Sequence, residues 1–312
     1  MRLALWWLGR AVSAAATLLG VSILIFAAVR MMPGGFAETI LGPFATADQK
    51  AELADRYGLD QSVFVQYGHW LAAVARGDFG VSMISREPVV SELWARLPVT
   101  GQLTLFSVLI ATLVGVPLGV LTAVRARRAA VGRLLSGLGV SVPEFVLGSL
   151  VVFLFSRYAL GLPAGGYDNV RSLVLPSLVL SFFAISITAR TTRDAVMGVL
   201  VEPYVTAAVA RGESPWFIIR HHVLRNAAIP VVTLLATITA YLLGGALIVE
   251  YVFNLPGIGS YVVQAVGRRD YAVVQAGVLL AATVFIVLNL LVDLVVGLID
   301  PRLGVTSKGR RA

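Results

Sequence analysis

Apolar residues gather into six long runs along the chain: Ala11–Met31, Gly101–Val124, Leu134–Arg157, Leu173–Ala189, Pro230–Val249 and Val274–Ile299. At a rise of about 1.5 Å per residue, about 20 apolar residues cross the hydrocarbon core of a bilayer. In lipid the backbone must satisfy its own hydrogen bonds, as a helix or as a closed barrel. Barrel strands are short and alternate between apolar and polar positions, so unbroken runs of this length fit helices. The pattern predicts an all-α polytopic membrane protein with six transmembrane helices. The first run is long, and Arg30 follows it without a small-x-small cleavage site, so it reads as an uncleaved helix.

The polar stretches between the runs predict further elements. Pro33-Gly34-Gly35 opens a long outer segment with a chain-breaking turn. Thr46, with Gln49 three residues on, suits a capping box for an amphipathic helix over Ala47–Tyr57. Ser62–Arg76 reads as a second short helix ending at Gly77, Gly80 to Pro88 as loop, and Val89–Leu97 as a third helix. Pro143-Glu144 interrupts the third apolar run. A helix starting at Pro143 carries Glu144 in its first turn, where exposed amides favour a carboxylate. That structural role is preferred for Glu144 over a part in transport. Arg190 to Asn226 is long for a loop, and part of it reads as helix from Pro203 to Arg211, closed by Gly212. Pro215 to Arg225 forms a second helical run leading into the fifth span. Beyond that span, Glu250 to Gly259 has the Pro-Gly character of a re-entrant turn, followed by an amphipathic helix over Ser260–Val266.

Composition and charge narrow the picture. The 312 residues are 58% hydrophobic and 13% charged, with a mean hydropathy of +0.85. A single soluble globule could not cover so much apolar surface, and a disordered chain would have far less of it. The absence of cysteine excludes disulfides, thiolate metal sites and cysteine nucleophiles. The net charge is +8. One alternate set of connections, including Arg125–Arg133, Arg190–Arg225 and the tail, holds 15 basic residues against 6 acidic ones. That asymmetry places both termini in the cytoplasm. The basic excess is topological, and no nucleic-acid partner is implied.

Several chemistries are missing. Lys50 and Lys308 lack the glycines of a phosphate-binding loop. The three histidines are His69, His221 and His222; the last two are neighbours whose side chains diverge on a helix. No nucleophile–base set suits an intramembrane hydrolase. Asp293 lies within the last run, with Asn289 one turn before it. A charge at the centre of a span costs roughly 2.5–3.5 kcal/mol. Two roles are open for this pair: lining of a solute path, or a hydrogen-bonded lock between helices.

The stretch Tyr204-Val205-Thr206-Ala207-Ala208-Val209-Ala210-Arg211-Gly212 resembles the EAA loop of ABC importer permeases, the inner-membrane components of binding-protein-dependent transport systems. Ala208 and Gly212 match its A-x-x-x-G spacing, while Thr206 stands where the general motif has glutamate. Arg220-His221-His222-Val223-Leu224-Arg225-Asn226, ending at Ile229-Pro230, is similar to the dipeptide/oligopeptide branch, with one histidine shifted. Tyr57-Gly58-Leu59-Asp60-Gln61, Gln66-Tyr67 with Trp70, Gly77-Asp78-Phe79-Gly80-Val81-Ser82, Glu250-Tyr251-Val252-Phe253 with Pro256-Gly257-Ile258-Gly259, and Asp300-Pro301-Arg302 agree with that branch. The likeness covers nearly the whole chain.

The resemblance implies a type I importer permease of the "B" type, multi-pass in a bacterial inner membrane. Its partners would be a second homologous permease, forming a heterodimer of permeases, two cytoplasmic ATPases that bind ATP and magnesium, and an external solute-binding protein. It implies no cofactor or metal on this chain and no catalysis by it. It divides the chain into 1–98, the first helix plus outer segment; 99–300, the permease core with its coupling loop at about 203–225; and 301–312, a basic tail. Tyr204, Thr206, Ala207, Ala208, Arg211, Gly212, Glu213, Trp216 and Phe217 would meet an ATPase. Glu250, Phe253, Pro256, Gly257 and Gly259 would form the outer gate facing the binding protein, with Asn289 and Asp293 as path lining. The solute would be peptide-like; the alternative is a stand-alone, ion-coupled secondary transporter of a small polar solute.

Overall fold

The computed structural model describes residues 2–31, 46, 48, 61–124, 139, 141–158 and 160–299. The expected turn at Pro33-Gly34-Gly35, the expected helix over Ala47–Tyr57, the basic loop Arg125–Arg133 and the tail from Asp300 lie outside the described residues, as does most of the first part of the third run. Among the described residues the chain is helical, with one isolated β-bridge between Val81 and Pro88. The helices are α1 (Arg2–Met31), α2 (Val63–Ala75), α3 (Val89–Val124), α4 (Glu144–Tyr158), α5 (Val174–Leu200), α6 (Pro203–Ala210), α7 (Leu224–Val252), α8 (Ile258–Arg268) and α9 (Tyr271–Ile299). Five described helical segments are long and apolar enough to cross a membrane: those of α1, α3, α5, α7 and α9. The third run contributes the 15-residue α4 after a break at Val142-Pro143.

Three expected boundaries move. Val89–Leu97 is not a separate helix; it forms the first turns of the 36-residue α3, which runs through Pro98. An internal proline costs a helix one hydrogen bond and about 3 kcal/mol. Burial of Val89, Leu93 and Leu103 on either side of it offsets that cost. The fourth span does not stop at Ala189. α5 continues through Arg190 and Arg193 to Leu200, because leaving the apolar layer does not end a helix. α7 starts at Leu224, before Pro230, and is entered through a single turn at Pro215–Phe217 and a π-helical stretch at Ile218–Val223.

Cα packing separates two units. The first comprises Met1–Pro98 and Gly257–Ile286. Its core holds Val29, Val89, Leu93, Ile258, Ala265, Tyr271, Val273, Val274 and Ala276. α2 is fixed to α1 by a cluster of three rings. Phe26 stands 5.4 Å from Tyr67 and 5.5 Å from Trp70, and Ser22 shares a 2.8 Å hydrogen bond with the Tyr67 hydroxyl. The Gly80–Ser82 turn is tied down by Asp270, whose carboxylate accepts from Ser82 at 2.6 Å in a buried site. Asp270 also stands at the start of α9, where its main-chain oxygen accepts from Val274.

The second unit comprises Val99–Pro256 and Val287–Ala312. Leu173, Val179, Leu180 and Ala184 from the α5 region meet Ile238, Leu242, Ala246 and Val249 of α7 in its core, with Leu103 and Ala111 of α3. α3 approaches α5 closely through a G-x-x-x-G pair. A Cβ on Gly115 would stand 2.9 Å from the Cβ of Thr188, and one on Gly119 would stand 2.6 Å from the main-chain oxygen of Ala189. Small residues at this spacing let two helix backbones meet. Gly119→Leu should therefore force α3 and α5 apart, whereas Gly101→Leu, with open space around its Cβ position, should be tolerated. Size-exclusion profiles of the two solubilised variants check this: aggregation of the first and a monodisperse peak for the second are expected. Overpacking of this kind costs about 1–3 kcal/mol.

Candidate functional site

The loop between α5 and α7 is built from its caps inward. Pro203 occupies the first position of α6, where its missing N–H costs nothing. The main-chain oxygen of Glu202 accepts from Val205 at 3.0 Å. At the other end, Gly212 N–H donates to Val209 O at 2.9 Å and Glu213 N–H to Ala208 O at 3.3 Å. This paired closure requires a left-handed residue, and Gly212 has φ of 79°. Ser214 then caps the next turn by accepting from Phe217 N–H. Six residues, Ile218–Val223, are wound as π-helix before α7 resumes α geometry.

α6 has two faces. Val205 and Ala208 point inward and pack with Val196 of α5, Ile218 and Val223 of the π-helix and Ala227 of α7. Ala208 is 0% exposed. It acts as a packing residue that sets how near α6 lies to the helix ends, and it offers no surface to a partner. Tyr204, Thr206, Ala207, Arg211 and Gly212 are exposed. Trp216 is 68% exposed, with Phe217 beside it.

Polar contacts brace the loop. Arg211 donates to Glu213 Oε1 through Nε at 3.0 Å and Nη2 at 2.6 Å. His222 Nε2 lies 3.0 Å from the other carboxylate oxygen. The Arg211 guanidinium, with His222, holds the Glu213 carboxyl below the usual carboxylate range. Asn226 Nδ2 donates to the Tyr204 hydroxyl at 3.0 Å and to the His222 carbonyl at 2.8 Å. His221 stacks on Phe217 with ring centroids 4.2 Å apart. Glu213 and Arg211 were expected in the loop. The bracing roles of His222, Asn226 and Ser214 were not, although the H-x-L-R-N likeness had drawn attention to that segment.

The expected outer-gate residues fall in both units. Glu250 and Phe253 are buried in the second unit. The Phe253 carbonyl accepts from Gly166 N–H at 2.8 Å, and Leu255 N–H donates to Glu250 O at 2.8 Å across Asn254, which has φ of 51°. Pro256 is exposed. Gly257 caps α8 and Gly259 is buried in it, both in the first unit. The Arg96 guanidinium of α3 lies 4.0 Å from the ring centroid of Tyr261 in α8, and burial pushes the Tyr261 phenol above its ordinary value. Asn289 and Asp293 are half-buried on one face of α9. Among the described residues no group of three or more His, Asp or Glu could hold a metal ion.

Comparison with known proteins accounts for this layout. The profile of the binding-protein-dependent transport system inner membrane component matches residues 115–305, and that of the N-terminal membrane component of such systems matches residues 4–104. A probable peptide ABC transporter permease, y4tP of Sinorhizobium fredii, is 39% identical over 307 residues, covering 95% of this chain and 98% of its own. The glutathione transport system permease GsiC of Salmonella typhimurium is 42% identical, covering 91% of this chain and 94% of its own. The dipeptide permease DppB of Alkalihalophilus pseudofirmus is 34% identical, covering 92% and 95%. Among solved structures, the inward-facing MetNI methionine ABC transporter superposes with a TM-score of 0.57 at 19% identity, over 67% of this chain and 96% of that one. An amino acid ABC transporter superposes at 0.53 and 17% identity, over 68% and 94%. At such identities the likeness concerns the fold alone. Dependence on a binding protein sets aside the stand-alone, ion-coupled carrier. Matched by two profiles and by full-length relatives, the chain belongs to the binding-protein-dependent transport system inner membrane components: it is a membrane permease subunit of an ABC importer, in which separate ATPase subunits hydrolyse ATP.

Proposed function

We propose that this chain pairs with a homologous second permease in a bacterial inner membrane to carry a peptide-like solute, with α6 and the turn after it seated in a groove of a cytoplasmic ATPase. The observation that carries this reading is the two-faced loop. Val205 and Ala208 anchor α6 to the ends of α5 and α7, while Trp216, Phe217 and Tyr204 remain on the surface of a loop that also exposes Arg211 and Arg220. An exposed aromatic anchor with a charged rim is the pattern of a docking hot spot. Closure of the ATPases would push α6, and the rigid packing behind it would move α5 and α7. That is a two-state element biased by a partner. An external binding protein would deliver the solute, and the peptide class is drawn from the named functions of y4tP and DppB. Glu250, Phe253, Pro256, Gly257 and Gly259 are assigned to the outer side, and Asn289 with Asp293 to the path.

Affinity purification of the tagged chain in mild detergent, with ATPase assay of the eluate, tests the assembly. Recovery of a second permease and of P-loop ATPases is expected; a chain that elutes alone and moves solute without ATP would end this reading. Trp216→Ala should leave the chain folded and weaken ATPase recovery about thirtyfold, the equivalent of about 2 kcal/mol at a hot spot. Gly212→Pro cannot adopt the required positive φ, and Ala208→Asp buries a carboxylate among Val196, Ile218 and Val223. Both should insert in the membrane and yet fail to recover the ATPases, so normal assembly of either variant would refute the coupling role.

A further inference from the structure

Glu144 is placed by the break before α4, near the middle of the third apolar run. The first-turn position explains why a carboxylate is tolerated there. It does not explain what the carboxylate does, because the turn's amides do not clasp it. Its Oε1 is buried and meets no hydrogen-bond donor among the described residues. Its Oε2 reaches across to α7 and lies 2.7 Å from where a Cβ on Gly245 would stand. Leu180 of α5 borders the same point at 3.1 Å. Thus a carboxylate from α4 fills the space left by a glycine of α7, against α5.

Two aromatic rings adjoin it. Tyr241 is four residues before Gly245 on α7, and Phe183 three residues after Leu180 on α5. α5 runs toward the coupling loop and α7 away from it, so both offsets lead one turn, about 5 Å, toward the loop. The rings meet with centroids 5.0 Å apart, and the Tyr241 side is open, at 51% exposure. A half-buried carboxylate with an unmet acceptor repels anions and holds a cationic donor more strongly than a neutral one. An ammonium group gains an ion pair there and, one turn on, the negative faces of two rings. A charged residue at this depth is costly, which favours a functional use for it.

We propose that the Glu144 carboxylate, with the Tyr241 and Phe183 rings one turn nearer the coupling loop, is a recognition point on the translocation path for a primary ammonium group of the carried solute. This rests on the importer reading and deepens it: a free amino end is what a peptide-like solute presents. The ammonium sits between the carboxylate and the rings, so that both hold it at once.

Carbodiimide labelling of the full chain in its assembled transporter tests this. Dicyclohexylcarbodiimide modifies carboxyls in apolar surroundings, and mass spectrometry of the Glu144 peptide reads the rate. The probe is alaninamide, an ammonium shaped like the amino end of a peptide. N-acetylalaninamide is its neutral counterpart, and sodium chloride at equal ionic strength is the baseline. Alaninamide at about twice its dissociation constant should slow Glu144 labelling about threefold by mass action, while the acetylated compound leaves the rate unchanged. Tyr241→Ala and Phe183→Ala should keep the labelling and lose the protection. Equal rates with and without alaninamide, equal protection by the neutral compound, undiminished protection in both ring variants, or a Glu144 that the reagent never reaches would each overturn the proposal. Labelling needs neither ATP nor solute movement, so its failure is distinct from that of the importer reading, which would show as missing ATPase partners.

Discussion

Lipid solvates a leucine about as well as another helix does, so membrane helices must hold one another by shape and hydrogen bonding. One close meeting of helices in the second unit obeys that constraint. Gly115 and Gly119 of α3 admit Thr188, Thr192 and the main-chain oxygens of α5. Ser107 adds a contact from its hydroxyl to the Ser177 carbonyl at 3.4 Å. Thr188, Thr192, Ser177 and Ser181 are all buried along α5. Once α5 is fixed in this way, its far end presents Val196 at a defined height, and α6 has something rigid to lie against.

The same need for rigidity explains how the helices stop. α2, α6, α7 and α8 all close with the paired C-terminal hydrogen bonds around one left-handed residue: Gly77, Gly212, Asn254 and Arg269. Such a closure satisfies the last carbonyls locally and turns the chain at once, so the element neither frays nor drifts. For a loop proposed to transmit a push, an abrupt end matters more than a strong helix. α6 has only eight residues and would not hold as an isolated helix; its anchoring supplies what its length does not.

Much of this was legible in the sequence. Gly77 and Gly212 as stops, Pro203 as a start and the break at Pro143 each follow from a local rule that tertiary structure did not override. Hydropathy marks where apolar runs end and not where helices end, so the continuation of α5 through Arg190 and Arg193 to Leu200 does not show in it. α3 passing through Pro98 was hidden because a proline reads as a boundary and the burial on either side does not show in the chain. The motif's spacing marks Ala208, but that it faces inward against Val196, Ile218 and Val223 is visible only in the packing. Partnerships across long sequence distances, such as Ser82 with Asp270, leave no local trace.

The contact of Glu144 with Gly245 bears on how such a permease can change over time. No carbon can be added at position 245 while the carboxylate at position 144 keeps its place, and a shorter side chain at 144 would leave a hole opposite the glycine. A change at either position is therefore felt at the other: a side chain at 245 displaces the carboxylate, and a shorter residue at 144 unpacks the glycine.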